Sequence, residues 1–340
     1  MKKVFKKITA AVAAFSLVSM FCACSSSGAS SGQSSNVSGE KTVTVGVIQY
    51  ATHPSLNDCY TGFKKGLEES GFTEGKNLKI DLENSQADGS NANMMAKTMV
   101  SKKYDMIAAI ATPAAMSAYS MAKNTDIPVV FTAVSDPVSA ELIKSLDKPG
   151  YNCTGSADVL PLESQLKLIR ALMPSAKKIG VLYTTSEPNS LFHLKILESL
   201  APKYNFEVVS NGITNASEVA SGAAALVSKK VDCINNFTDN NVVNNLSTLL
   251  NAANGANIPV FGSEVEQVKN GCVASVSIDY VSLGEETGKM AAKILKGEAK
   301  AADTKVYTVS EGKPVYNAEL LKKFGMTLPA EYSDAQAVSK

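Results

Sequence analysis

The chain has 340 residues, a formal net charge of +1 and a single arginine, Arg170. Charge so close to zero provides no electrostatic footprint for nucleic acid, so we expect no nucleic acid partner. One guanidinium group also argues against bidentate clamps on phosphate or carboxylate. Beyond the N-terminal segments described next, about 300 residues remain, which suits two domains of ordinary size.

The N-terminus has the pattern of an export signal. Four lysines within the first seven residues precede an apolar run over residues 8–21. That length is typical of a signal-peptide core and is too short for a spanning helix. The run ends in Phe21-Cys22-Ala23-Cys24, which resembles a bacterial lipobox with Cys24 as the lipidated residue. We predict a lipoprotein signal peptide over residues 1–23, with a plain secretion signal as the alternative.

Residues 24–40 are rich in serine and glycine and show no apolar periodicity. Such a composition is typical of a flexible tether. A lipid anchor followed by a tether predicts an extracytoplasmic protein, held to the outer face of the bacterial cell membrane.

Strands and helices alternate through the first half of the remaining chain. The pattern predicts strands over residues 42–49, 78–83, 106–111 and 128–133. It predicts helices over residues 55–70, 91–103, 113–123 and 137–146. The last helix follows from Asp136-Pro137, a capping carboxylate with proline at the first helical position.

The second half repeats the plan. We predict strands over residues 178–183, 206–209, 231–237, 259–262, 274–277 and 306–309. Helices are predicted over residues 162–172, 190–200, 242–253 and 283–295, and the motif Asn215-Ala-Ser-Glu218 predicts a capping box that opens one more. Alternation of this kind predicts an α/β fold with parallel sheets covered on both faces.

Three segments of the first half resemble three of the second, in the same order. Residues 46–54 resemble 180–188, residues 104–112 resemble 231–239, and residues 126–132 resemble 257–263. Each is an apolar run of strand length that ends in small polar residues. We interpret this as one α/β unit present twice, with a ligand cleft between the two copies.

Ligands of open parallel sheets bind outside the carboxyl ends of the strands. In both halves these ends are rich in hydroxyl, amide and carboxylate groups and carry no lysine or arginine. The predicted ligand-binding residues are Gln49, Tyr50, Thr112, Pro113, Ala114, Thr132, Asp136, Ser186, Glu187, Asn189, Ser190, Thr238, Asp239, Asn240 and Glu264.

Helices start directly after most of these strand ends, and their free N–H groups favour an anion. We expect a ligand carboxylate there, beside the hydroxyls of Thr112, Ser190 and Thr238. An ammonium group would then pair with one of four carboxylates: Asp136, Asp239, Glu187 or Glu264. Capping alone is the competing interpretation of Asp136. His53 is expected at the surface by default.

The chain lacks the sequence motifs of common enzymes, among them G-x-S-x-G, H-E-x-x-H, G-K-[ST] and a G-x-G-x-x-G after a strand. We therefore predict a binding protein that is not an enzyme and has no cofactor. No metal-site spacing links Cys59, Cys153, Cys233 and Cys272. Export permits disulfides, but we favour single buried cysteines.

Five stretches resemble one known family: residues 47–54, 110–115, 130–137, 181–190 and 238–240. The family is the solute-binding lipoproteins of ABC importers, in the tryptophan/tyrosine-type group. The resemblance implies a type I periplasmic-binding-protein fold, with two doubly wound parallel-sheet lobes joined by three crossovers near Ser156, Asp279 and Ala302. It implies a first lobe of residues 41–155 plus 280–301, a second of 156–279 plus 302–332, and a tail of 333–340.

The resemblance also implies a function. The protein would capture an amino acid, tryptophan or tyrosine above all, and deliver it as a monomer to an ABC permease and its ATPase. Other small solutes, a nucleoside or an aliphatic amino acid, are alternatives. A solute sensor for a membrane receptor and a cell-surface enzyme are alternatives from other classes.

Overall fold

The structure is a computed structural model that describes residues 42–309 and 311–339. The predicted signal peptide, Cys24 and the tether lie outside the described residues. Among the described residues no helix has the length and apolar character needed to cross a membrane. The described chain forms two lobes, each built around a mainly parallel sheet.

The first lobe begins with a regular alternation of strands and helices. Its elements are β1 (Val43–Gln49), α1 (Pro54–Glu69), β2 (Leu78–Asn84), α2 (Gly89–Ser101), β3 (Met106–Ile110), α3 (Thr112–Ala122), β4 (Val129–Thr132) and β5 (Cys153–Ala157).

The second lobe follows the same plan with more helices. Its elements are α4 (Leu162–Leu172), β6 (Lys178–Thr184), α5 (Pro188–Leu200), β7 (Glu207–Ile213), α6 (Val219–Ser228), β8 (Cys233–Asn235), α7 (Asn240–Asn244), α8 (Leu246–Gly255), β9 (Val260–Phe261), α9 (Val265–Lys269) and β10 (Ala274–Ser277).

The remaining elements are divided between the lobes. They are α10 (Tyr280–Leu295), β11 (Tyr307–Thr308), β12 (Lys313–Asn317), α11 (Ala318–Lys323) and β13 (Gln336–Val338). Helix α10 packs along α1 of the first lobe. Strand β12 pairs with β10 of the second lobe on one side and with β13 on the other.

The strand orders confirm the predicted repeat and the fold class. The first sheet has the order β11-β5-β4-β3-β1-β2, and the second has the order β7-β6-β8-β9. Strands β2, β1, β3 and β4 therefore correspond in position to β7, β6, β8 and β9. Backbone hydrogen bonds from Val273 N to Val260 O (2.7 Å) and from Gly262 N to Ala274 O (3.0 Å) extend the second sheet to β10.

The chain crosses between the lobes three times, as expected. The first crossover follows β5 and the second lies between β10 and α10, close to the predicted Ser156 and Asp279. The third falls between β11 and β12, and not near Ala302, because Tyr307 and Thr308 pair with Ser156 and Ala157 of the first sheet. The predicted tail contains β13, which completes the second lobe.

One predicted helix is wrong: residues 137–141 form turns, and residues 142–146 are bends and irregular backbone. The start signal does act, since Asp136 accepts a hydrogen bond from Ser139 N (3.0 Å) and its carbonyl accepts one from Ala140 N (3.0 Å). Glu141 then adopts φ +57°, which a right-handed helix cannot include. Leu142 and Ile143 are still buried, so the apolar pattern reflects core packing without a helix.

Helices α1 and α10 pack at unusually short range through two glycine pairs, Gly62 with Gly66 and Gly284 with Gly288. A Cβ atom at Gly62 would lie 2.0 Å from the Val281 carbonyl oxygen, and one at Gly284 would lie 2.1 Å from that of Cys59. Glycine is thus required because the two backbones touch. This contact fixes the start of α10, and with it the second crossover, against the first lobe.

All four cysteines of the described chain are buried and unpaired, as we favoured from the sequence.

Candidate functional site

The carboxyl ends of the strands of both lobes meet around a cavity of about 10 Å³, room for about one water molecule. Its lining consists of His53, Ser55, Leu56, Ala111, Thr112, Ala133, Ser135, Asp158, Asn189, Thr238, Asn240 and Tyr280. The lobes touch here, since His53 Nε2 lies 3.3 Å from Asn240 Oδ1. We call this space the interlobe cavity.

Buried polar atoms without a partner concentrate at the interlobe cavity. Among the described residues, three such side-chain atoms belong to its lining: His53 Nδ1, Thr112 Oγ1 and Asn189 Oδ1. The hydroxyl of Ser55, also in the lining, donates to the Glu264 carboxylate. Buried polar groups of native proteins nearly always have partners, so each exception needs an explanation. Hydrogen-bonding groups of a ligand would supply the missing partners.

Three helices begin at the cavity without a side-chain cap. They are α1, α3 and α5, and each has proline in its first two positions. The first N–H groups of such helices have no partner within the helix, and they favour an anion. Before α3, Ala111 has φ +83°, a conformation that costs free energy for any residue except glycine. Strain of this kind at a cavity wall is typical of a functional site.

Asp239 has a structural task in the second lobe. Its carboxylate accepts hydrogen bonds from Thr184 N (2.6 Å), Thr184 Oγ1 (2.8 Å), Ser190 Oγ (2.7 Å) and Val242 N (3.1 Å). It thus ties β6 and α5 to the start of α7. The hydroxyl of Ser190 is committed to this carboxylate and is fully buried. Neither residue lines the interlobe cavity.

Glu187 is likewise occupied by the protein. It accepts hydrogen bonds from Asn240 N (3.0 Å), Asn240 Nδ2 (2.7 Å) and Asn189 Nδ2 (3.1 Å). Burial, and then the negative charge of Asp239, raise the pKa of Glu187 well above its usual range. Because Glu187 engages the amide nitrogens of both asparagines, their side-chain oxygens are left to face other partners.

Asp158 lines the interlobe cavity and was missing from the predicted site. It follows β5 at the first crossover and accepts hydrogen bonds from Ser135 Oγ (3.0 Å) and Tyr280 OH (3.0 Å). Burial raises the pKa of Asp158 to about 6, although both hydrogen bonds oppose the shift. Of the lining residues it is the one carboxylate, and no lysine or arginine accompanies it.

His53 is buried at 3 % exposure, so the expected surface position is wrong. Its turn is covered by the second lobe through Asn240. Burial lowers the pKa of His53 to about 4, against the opposing hydrogen bond with Asn240. The ring is therefore neutral at physiological pH.

Three more predicted residues lie at the cavity: Thr112, Asn189 and Thr238 join Asn240 in its lining. The others of the predicted set do not appear there. Thr132 ends β4, and Pro113 and Ala114 lie in the first turn of α3. Asp136 is half-buried and Ser186 is exposed.

The last three predicted residues make contacts within the protein. Gln49 Nε2 donates to the Ala51 carbonyl (2.8 Å), and Tyr50 OH donates to that of Ala87 (2.9 Å). Glu264 caps α9 by accepting from Gln267 N (2.8 Å). Burial raises the pKa of Glu264 to about 7. Their predicted role in ligand binding stays a prediction.

Arg170 does not line the interlobe cavity. It donates to the carbonyl oxygens of Tyr204 (2.8 Å) and Pro174 (2.8 Å) and stacks on Phe206.

This geometry, two lobes hinged by three crossovers around a polar cavity, defines a solute-binding protein. Residues 44–338 match the family of ABC transporter substrate binding proteins, and the chain belongs to that family. Members serve ABC importers from outside the cytoplasm, and so does this protein.

Two relatives at similar sequence identity bind aromatic amino acids. A tyrosine-binding protein of Clostridioides difficile (strain R20291) is 40% identical over 327 residues, which cover 96% of this chain and 93% of that protein. An ABC domain in complex with L-Trp from Streptococcus pneumoniae is 37% identical, with a TM-score of 0.84, and the match covers 88% of this chain and all of that one.

A third relative is a ligand-free, open substrate binding protein with adhesive properties from Clostridium difficile. It is 39% identical and the match again covers 88% of this chain and all of that one, but the TM-score is only 0.66. The two structures are about equally related in sequence. The relative placement of the two lobes in this chain is therefore closer to that in the tryptophan complex than to that in the open protein.

The burial of His193 predicts that the free energy of unfolding depends on pH. Burial lowers the pKa of His193 to about 3, so between pH 6.5 and 3 the unfolded chain binds more protons at this residue than the folded one. Stability must then fall as pH falls through this window, by about 2 kcal/mol between pH 6.5 and 5. A His193→Gln variant should lack this part of the decline, because glutamine can still accept the hydrogen bond from Leu160 N.

Urea unfolding of both proteins at pH 6.5 and pH 5 provides the measurement. Asp158 and Glu264, whose raised pKa values act in the opposite direction, are present in both proteins and cancel in the comparison. Equal declines in the two proteins would contradict a neutral buried His193.

Proposed function

We propose that this protein is the amino-acid-binding component of an ABC importer, and that its ligand is an aromatic amino acid, tyrosine or tryptophan. The observation that carries the proposal is the interlobe cavity, where uncapped helix starts and one buried carboxylate face each other. An amino acid zwitterion has a carboxylate that suits the helix starts and an ammonium group that suits the buried carboxylate. The aromatic side chain is supported by two relatives, a tyrosine-binding protein and a domain in complex with L-Trp.

The carboxylate of the ligand binds at the helix starts. Thr112 is the first residue of α3, its hydroxyl has no partner, and it is 2 % exposed. Hydroxyl and backbone N–H donors together can hold a carboxylate without arginine. Ser190 is less suited than we expected, because its hydroxyl already donates to Asp239.

The ammonium group pairs with Asp158. Of the four carboxylates proposed from the sequence, Glu187 and Asp239 are saturated by donors of the second lobe, Glu264 caps α9, and Asp136 caps a turn. Asp158 accepts side-chain hydrogen bonds from Ser135 and Tyr280, is only 3 % exposed, and lines the cavity. A cation beside it would lower its pKa and compensate the cost of its burial.

Titration calorimetry with L-tyrosine, L-tryptophan and their decarboxylated amines tests the proposal. We expect the amino acids to bind and the amines, which lack the carboxylate, to bind at least about tenfold more weakly. Asp158→Asn should weaken amino acid binding about ten- to hundredfold, since a charge-assisted hydrogen bond contributes about 1.5–3 kcal/mol. Thr112→Val should weaken it about tenfold.

Thr132→Val is the matched control for Thr112→Val. Thr132 is also 2 % exposed, lies at the end of the neighbouring strand β4, and does not line the cavity. Its replacement should leave the affinity unchanged. Equal affinity for the amines and the amino acids would refute the carboxylate site and favour an uncharged solute such as a nucleoside.

We also propose that Cys24 carries a lipid anchor, that residues 24–40 form the tether, and that the protein delivers its ligand as a monomer to a permease and its ATPase. The lipobox-like run before Cys24 supports the anchor. Cells that express the full chain should retain it in the membrane fraction, and Cys24→Ala should release it or leave it unprocessed. Retention of a fully processed Cys24→Ala protein would refute this anchor.

A further inference from the structure

Building on the proposed amino acid ligand, we propose that His53 determines specificity, with its ring nitrogen Nδ1 accepting a hydrogen bond from the ligand's side chain. The phenol O–H of tyrosine and the indole N–H of tryptophan are such donors, whereas phenylalanine has none. The site would then select aromatic side chains that carry a donor.

The position of His53 supports this role. The residue immediately precedes α1, is 3 % exposed, and belongs to the lining of the interlobe cavity. Its Nδ1 atom is buried and has no partner. An unsatisfied buried nitrogen costs free energy, and a site with such a group favours the ligand that satisfies it.

Contacts of the second lobe determine which ring nitrogen carries the proton. Oε2 of Glu187 accepts from the backbone N–H of Asn240 (3.0 Å), and it also contacts Asn240 Nδ2 (2.7 Å). The Asn240 amide therefore turns its nitrogen to Glu187 and its oxygen to His53 Nε2, at 3.3 Å. An amide oxygen only accepts, so Nε2 must donate to it.

A neutral imidazole has a single N–H group, so this donation leaves Nδ1 of His53 as an unprotonated acceptor. The ring is neutral because burial lowers the pKa of His53 to about 4. An acceptor cannot bind the ligand's carboxylate. The ammonium group is claimed by Asp158, which leaves the side-chain donor as the partner of Nδ1.

His193 provides an internal comparison with the opposite arrangement. It is also fully buried, and its Nδ1 also lacks a partner. However, its Nε2 accepts from Leu160 N (3.2 Å), so the proton must be on Nδ1. His193 does not line the interlobe cavity. The chain's only two histidines are thus expected to hold different tautomers.

Competition between ligands tests the proposal directly. We expect the wild-type protein to bind L-tyrosine at least about tenfold more tightly than L-phenylalanine, as loss of one hydrogen bond in a buried site implies. His53→Phe keeps a ring of similar shape without the acceptor. In this variant the ratio of the affinities for L-tyrosine and L-phenylalanine should approach one. The control His193→Phe should keep the wild-type ratio.

Long-range proton–nitrogen NMR spectra of the wild-type protein provide a test that needs no variant. With two histidines, two ring spin systems are expected, one protonated at Nε2 and the other at Nδ1. Saturation with L-tyrosine or L-tryptophan should shift the Nδ1 resonance of His53, assigned by its loss in His53→Phe or by its contacts to α1 protons. L-phenylalanine should not shift it in the same way.

The outcomes separate this proposal from the proposed function. If no amino acid binds the wild-type protein, the proposed function fails, while the tautomers of the free protein still test the arrangement of His53. If His53→Phe weakens tyrosine and phenylalanine by the same factor, Nδ1 contacts a group common to all amino acids and the specificity role is wrong. A proton found on Nδ1 of His53 would overturn the proposal outright.

Discussion

The structure depends on how buried polar groups are satisfied in a cleft that has no cationic side chain. Arg170 is used elsewhere, and the lining of the interlobe cavity contains neither lysine nor arginine. Burial of Glu187 and Asp239 without donors would cost several kcal/mol per group. Amide and hydroxyl donors of the second lobe meet this requirement, and in doing so they orient Asn189 and Asn240 toward the first lobe.

The same requirement accounts for the polar atoms that have no partner in the cavity. Glu187 occupies the amide nitrogens, so the amide oxygen of Asn189 and the ring nitrogen of His53 are left for another molecule. Thr112 offers a hydroxyl donor for an anionic group of the ligand, and Asp158 offers a carboxylate for a cationic group. An amino acid carries both complementary groups, so the proposed ligand would be held by directional hydrogen bonds in place of a guanidinium clamp.

The two lobes contact each other at the cavity. The cavity of about 10 Å³ is smaller than an aromatic amino acid, and His53 contacts Asn240 across it. The chain also matches the tryptophan complex better than an open relative, at nearly equal sequence identity. We infer that the lobes must separate to admit the ligand and that the structure represents the closed arrangement. The hydrogen bond between Tyr280 and Asp158 joins the first two crossovers, so a ligand bound at Asp158, as proposed, would act on the hinge itself.

Local patterns predicted the alternation of strands and helices, the repeat, and the cavity residues Thr112, Asn189, Thr238 and Asn240. They failed where burial depends on distant partners. Nothing near His53 indicates that Asn240, 187 positions away, covers it. Asp158 was missed because β5 is a run of small residues without a strand pattern, and its neighbours β4 and β11 define it as a strand.

The carboxylates show a second limit. The strand-end rule identified Glu187 and Asp239 as candidates for the ligand's ammonium, but it could not show that nearby amides and hydroxyls already occupy them. Which carboxylate is free for the ligand depends on how many hydrogen-bond donors the fold places around each one. A single sequence does not show that number.

Small-angle X-ray scattering of the purified protein, with and without saturating L-tyrosine or L-tryptophan, tests the central claim most directly. We expect a smaller radius of gyration with either amino acid, because a ligand held at Thr112 and Asp158 on the first-lobe side also contacts Asn189 of the second lobe and so draws the lobes together. The decarboxylated amines should leave the radius unchanged. An unchanged radius with an amino acid whose binding calorimetry has established would contradict closure around the ligand.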